Sequence, residues 1–191
     1  MTRAFDGRTV SPELLDRIVS LAARAPSAGK SQGWHLVVLE GAEAALFWDI
    51  TLPVERRPGF RWQGLLRAPL IALALADPQA YVDRYSEPDK ASTGLGAGVE
   101  AWPTPYWTID AAMSVNTLLL AAEDVGLGAL LFGVFNHEAD LREALGIPAG
   151  LVLLGAIALG WPDQSNQPER GGRSAARARR SASDIIHRGR W

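Results

Sequence analysis

The chain has no cysteine, which excludes disulfides, thiolate metal sites and cysteine nucleophiles, so any redox chemistry requires a bound cofactor. Its three histidines, His35, His137 and His187, stand far apart with no acidic or histidine partner at ligand spacing, which argues against a metal site. No apolar run reaches the roughly 18 residues of a membrane span, and "MTRAFDGRTV" lacks a signal peptide's apolar core. No Gly-x-Ser-x-Gly elbow is present, so a serine hydrolase has no support. A net charge of -2 leaves no global positive field to recruit nucleic acid. These absences favour a cytoplasmic protein with neither membrane nor nucleic acid as partner.

What is present suits one domain over residues 1–191: 48% of the residues are hydrophobic and 21% charged, enough apolar content for a sizeable single core. Ser11-Pro12 opens a helix with Leu14, Leu15, Ile18, Leu21 and Ala22 on one face, and Pro26 stops it. "HLVVLEG" (35–41) reads as a strand, "AEAALFWDITL" as a short helix, and "PLIALALAD" (69–77) as a strand buried on both faces. Residues 77–107, rich in Gly, Pro and aromatics, read as a long lid-like insertion. A helix from Thr108 follows, apolar almost all the way round and so expected to be buried and central; Gly126 and Gly128 end it. Then come a strand (129–135), a helix stopped by Pro148 and a strand (151–161). Residues 162–191 form an extension in which Arg170, Arg173, Arg177, Arg179, Arg180, Arg188 and Arg190 accumulate. The alternation predicts an α/β or α+β domain with a single sheet flanked by helices.

Three features invite a chemical reading. The first is "APSAGKSQGW": it follows a helix and offers backbone N–H groups outside regular pairing, the hydroxyls of Ser27 and Ser31, the amide of Gln32 and the cation of Lys30. Such a set suits a flat, polar-edged anionic ligand, and it is equally compatible with a helix C-cap followed by a turn. The second is the pair of glycine clusters, "GLGAG" and "GLGALLFG". Neither follows a strand and opens a helix, so neither is a dinucleotide fingerprint, and "AGKSQ" lacks the upstream glycine of a phosphate-binding P-loop. The third is the arginine tail, where Arg177 and Arg179 would point the same way from an extended chain and suit a phosphomonoester. A nucleic-acid-binding use of this tail is the rival from another class; it leaves "APSAGKSQGW" and the aromatic segment unexplained.

Taken together, these stretches resemble the FMN-dependent nitroreductase family over nearly the whole chain. "RAFDGRTVSPELLDRIVSLAARAPSAGKSQGWHLVVL" resembles the family's Arg-x-Phe, helix and Ala-Pro-Ser-x-x-Asn-x-Gln-Pro-Trp; "DAAMSVNTLLLAAEDVGLGALLFGVF" is similar to its central helix, Gly-Leu-Gly and following strand; "REALGIPAGLVLLGAIALGWP" and "RARRSASDIIHRGRW" match its last core strand and basic terminus. The resemblance implies an α+β, three-layer fold with a central mixed, mostly antiparallel sheet, and a homodimer on whose partner subunit the extended C-terminal segment docks. It implies FMN as cofactor, NADH or NADPH as donor, and a ping-pong transfer of hydride through the flavin to a small electron-poor acceptor such as a nitroaromatic or quinone. A member using a deazaflavin, or one that holds or degrades its flavin, is the nearest alternative.

By the same resemblance Arg3, Ser27, Ala28, Lys30 and Gln32 bind the cofactor, Leu131, Phe132 and Gly133 present backbone beside its reactive ring, and Arg177 and Arg179 hold its phosphate. Trp102, Tyr106 and Trp107 are expected to roof the substrate site, the flavin itself supplying the reactive atom. Two departures stand out. Lys30 and Gly33 replace the family's asparagine and proline, and the family's upstream arginine falls at or before Met1. Either the natural chain begins earlier or the arginine tail compensates.

Overall fold

Ser11 starts the first helix as its chemistry demands: its Oγ accepts the Leu14 N–H at 3.3 Å, and Pro12 occupies the first turn. The computed structural model describes residues 1–166 and 176–191, and the helix that Ser11 caps, α1, spans Pro12–Ala22. The sequence then builds β1 (Trp34–Glu40), α2 (Ala42–Thr51), β2 (Leu70–Ala76), α3 (Pro78–Ser86), α4 (Tyr106–Asp124), β3 (Gly128–Phe132), α5 (Glu138–Ala144) and β4 (Val152–Gly160). The four strands lie in the order β1-β2-β4-β3, and every pairing among them is antiparallel.

The apolar run of β2 is central, and all seven of its residues are buried. Its alternation divides the core in two. Ile71 and Leu73 face α2 and α5 with Phe47, Trp48 and Leu141, while Leu70, Ala72 and Ala74 face α1 and α4 with Ile18, Val115 and Leu118. The result is the three-layer α+β arrangement expected: helices, sheet, helices.

Three expectations change. Residues 77–107 are not a structureless lid: Asp77 caps α3 by accepting from the N–H groups of Gln79 (2.9 Å) and Ala80 (3.3 Å), and 3-10 turns follow at Ala91–Thr93, Leu95–Ala97 and Val99–Ala101. The Asp77-Pro78 pair repeats the cap chemistry of Ser11-Pro12 and is the signal that marks this helix. Secondly, α4 is not buried all round. Val115, Leu118 and Ala122 pack inward, whereas Ile109, Ala112, Asn116 and Leu120 form an exposed stripe. Thirdly, β3 ends at Phe132 rather than 135. The β2–β4 register slips between Ala74 and Leu75, a bulge that places Gly155 against β3, where a side-chain Cβ would stand 2.7 Å from the Phe132 carbonyl oxygen.

Of the C-terminal extension, residues 176–191 are exposed throughout and include one short turn, Ala182–Asp184, capped by Ser181. Arg170 and Arg173 lie outside the described residues. Among the described residues no helix is long and apolar enough to cross a membrane, and no cluster of His, Asp and Glu is fit to hold a metal ion.

Candidate functional site

The stretch 27–33 is a tightly tied loop rather than an open set of amides. Gly29, Lys30 and Gln32 all adopt the left-handed conformation, with φ of 60°, 59° and 54°. For the two non-glycines this costs on the order of 1–2 kcal/mol each, so the surroundings must hold it. Ser27 Oγ accepts the Gln32 N–H at 3.0 Å, Ser31 Oγ donates to the Ala28 carbonyl at 2.7 Å, and the Lys30 and Ser31 N–H groups close turns onto Ser27 and Ala28. The expected free amides of Ala28, Lys30, Ser31 and Gln32 are thus already paired. What the loop presents outward is the exposed side chains of Lys30 and Gln32.

Two residues that sequence reasoning missed anchor this loop. Asp110, 5% exposed on α4, accepts the Ala28 N–H at 2.7 Å and the Tyr81 hydroxyl at 2.8 Å through one carboxylate oxygen. Burial, reinforced by that carboxylate, pushes the Tyr81 phenol above its ordinary range and keeps it a neutral donor. Arg84 of α3 donates from Nε to the Gly29 carbonyl at 2.8 Å and forks onto Asp89 through two contacts of 2.7 Å. Gly33 lies so close to α3 that an added Cβ would stand 2.8 Å from both the Asp77 carbonyl oxygen and the Tyr81 ring, which explains glycine there. An acidic residue on an otherwise apolar helix face was the available signal for Asp110.

Trp102 and Trp107, expected above the substrate, lie inside instead. They are 8% and 7% exposed, packed edge to face with Tyr81, and the Trp102 indole N–H donates to the Leu95 carbonyl at 3.0 Å. These rings hold α3 and its turns against α4; only Tyr106, 42% exposed, keeps an open ring.

A cavity of about 450 Å³ opens on the opposite edge of the sheet. Its wall is aromatic and aliphatic, chiefly Phe47, Trp48, Phe60, Trp62 and Leu65, with Arg3 and the end of β3, Leu131, Phe132 and Gly133, beside them. Trp48 and Phe132 stack in parallel planes, 6.0 Å between centroids. Because β3 is an edge strand, half of its backbone groups look away from the sheet. The Ala129 carbonyl accepts the Thr2 N–H at 3.1 Å, so it points outward, and the two-residue period turns Leu131's N–H and C=O the same way, toward the cavity side.

Arg3, Leu131, Phe132 and Gly133 therefore meet at one place. Ser27, Ala28, Lys30 and Gln32 do not join them, for their loop feeds β1, three strand spacings or roughly 14 Å across the sheet. Arg177 and Arg179 are exposed on the C-terminal segment and line neither region.

The whole chain is similar to known proteins of one family. The model of the nitroreductase family matches residues 1–161. A protein of Archaeoglobus fulgidus, provisionally named an NADH dehydrogenase/NAD(P)H nitroreductase, is 28% identical over 99% of this chain and 92% of its own length. A 4-nitrobenzoate reductase of Nocardioides sp. is 29% identical over 76% of this chain and 70% of its own. A solved oxidoreductase containing FMN, 22% identical, shares the fold with a TM-score of 0.70 over 100% of this chain and 87% of its own. The chain belongs to the nitroreductase family of FMN- and NAD(P)H-dependent oxidoreductases.

Proposed function

We propose that this chain, as a homodimer, reduces small electron-poor acceptors, nitroaromatics or quinones, with hydride drawn from NADH or NADPH and relayed through FMN. The observation that carries the reading is the apolar cavity at the open edge of β3. Its volume of about 450 Å³ and its stacked aromatic walls suit a planar tricyclic ring, the outward N–H and C=O of Leu131 suit that ring's polar edge, and Arg3 suits negative charge. The residues present therefore fit FMN. When bound, that group supplies hydride acceptance and two-electron release; the chain's part is to seat it, keep water off its face and leave one side open.

The separation of loop 27–33 from the cavity supports a site shared between two copies. The exposed α4 stripe and a groove that it forms with Ala25 and Pro26 offer an apolar face beside the loop. Pairing two copies through this face brings the loop of one protomer, with Lys30 and Gln32, toward the cavity of its partner. Arg177 and Arg179, reaching out on the extended C-terminal segment, then meet the cofactor's phosphate, and the segment docks on the partner subunit. Donor and acceptor share one open side and so bind in turn. Steady-state rates with NADPH or NADH against a nitroaromatic or a quinone test this: parallel double-reciprocal lines are expected, and intersecting lines contradict the alternating use of one site.

A further inference from the structure

Helix α2 lays Ala44, Phe47 and Trp48 on its buried face, at the i, i+3, i+4 spacing that packs a helix against a sheet. That placement encloses the Trp48 indole in apolar company: the Phe47 ring stands edge-on at 5.0 Å, the Phe132 ring parallel at 6.0 Å and the Phe60 ring tilted at 6.2 Å between centroids. Trp48 is 7% exposed. Among the described residues its Nε1 is the one buried side-chain polar atom without a hydrogen-bond partner. Buried indole N–H groups nearly always find a partner, as Trp102 does, so an orphan marks a place where the acceptor is still to arrive.

Trp48 also lines the cavity of about 450 Å³ at the edge of β3. The other polar side chain that α2 sends to that wall, Thr51, donates its hydroxyl proton to the Phe47 carbonyl at 2.7 Å, and the Trp48 carbonyl accepts the Leu52 N–H at 2.8 Å. The indole N–H is therefore the donor that α2 has left to offer. A neighbouring ring face accepts only weakly, so a carbonyl oxygen that enters the cavity displaces any such contact.

We propose that the Trp48 indole N–H is a hydrogen-bond donor built into the cavity wall for a ring carbonyl of the planar molecule seated there. Two molecules of the reaction carry such a group: the flavin, in which case the inference rests on the FMN reading above, and a quinone acceptor. The chemistry asked of the indole is the same for both. A planar hydrocarbon of equal size leaves the donor unmet, whereas a ring carbonyl satisfies it, so the contact selects as well as binds. An unmet donor costs the free chain stability that a bound carbonyl restores.

The test uses the full chain with its seven tryptophan indoles labelled with nitrogen-15. The Trp48→Phe spectrum assigns the Trp48 N–H by its absence. FMN is added to the flavin-stripped chain, then menadione as the quinone. A downfield move of the Trp48 indole proton with FMN assigns the carbonyl to the flavin, and a move that waits for menadione assigns it to the acceptor. A second variant keeps the ring's shape and deletes only the donor, the Trp48 indole being replaced by benzothiophene. Without ligand it is expected to melt at a higher temperature than wild type, since no orphan remains, and to bind the molecule that moved the resonance about tenfold more weakly for one lost hydrogen bond. A resonance that neither molecule moves overturns the proposal, and so does a benzothiophene variant that melts lower or binds that molecule as wild type does. A chain that binds FMN with the Trp48 resonance unmoved by either molecule leaves the FMN reading standing while the proposal falls. A chain that takes up no FMN yet shows the shift with menadione does the reverse.

Discussion

Asp110→Ala is the substitution with the largest consequence that the structure allows to be worked out. The carboxylate is 5% exposed and accepts two hydrogen bonds, from the Tyr81 hydroxyl and the Ala28 N–H. Removing it leaves a buried phenol and a loop amide without their acceptor, and hydrogen bonds to a charged group are worth about 1.5–3 kcal/mol each, so the loss is about 3–6 kcal/mol. Asp110→Asn keeps the volume and one acceptor oxygen, and is expected to cost about 1–2 kcal/mol. Urea unfolding of the three proteins at constant m-value measures the difference. The same tether holds the backbone that leads to Lys30 and Gln32; if this loop meets FMN as proposed, affinity for FMN is expected to fall along with stability even in the milder Asn variant. An Asp110→Ala protein within about 0.5 kcal/mol of wild type would refute the reasoning, because it would mean that water replaces the carboxylate at no cost.

Gly33→Ala forces a Cβ to 2.8 Å from the Asp77 carbonyl oxygen and from the Tyr81 ring, and is expected to destabilise the chain by about 1–3 kcal/mol in the same urea assay. Tyr81 gives a pH dependence: burial, with the Asp110 carboxylate beside it, raises its folded-state pKa above the ordinary phenol value of 10.0, so its contribution is fully present below that pH and is lost as the pH rises further, where the unfolded chain ionises and the folded one does not. Ultraviolet titration of the three tyrosines should show one phenolate appearing only with alkaline unfolding, and a chain that ionises all three while still folded contradicts this. Leu120 is 61% exposed on the α4 stripe, so Leu120→Arg should leave monomer stability within about 0.5 kcal/mol while shifting light scattering from a dimer toward the 20.5 kDa chain and releasing FMN.

Much of the fold was legible because it rests on local signals. β2 reads as a buried strand because its seven residues are apolar without interruption, and α1 because a cap, a proline and a 3.6-residue apolar period coincide. The segment 77–107 was misread because its glycines and prolines hide the Asp77 cap, and because packing rather than propensity holds it: Tyr81, Trp102 and Trp107 make one cluster from positions far apart in sequence. Arg3 and Leu131–Gly133, singled out through the resemblance, do come together along one cavity. Asp110 and Arg84 were not singled out, since each acts across the fold: Asp110 bonds to a residue 82 positions away and Arg84 to one 55 away. Spacing along the chain carries no trace of such contacts.

The most direct test of the account is the visible spectrum of the purified full chain, stripped and reloaded with FMN, before and after NADPH or NADH is added without oxygen. The account predicts stoichiometric FMN binding to the dimer, bleaching by the nicotinamide and recovery of colour when a nitroaromatic or quinone is added. A protein that takes up no FMN, or that holds it without bleaching, would contradict it.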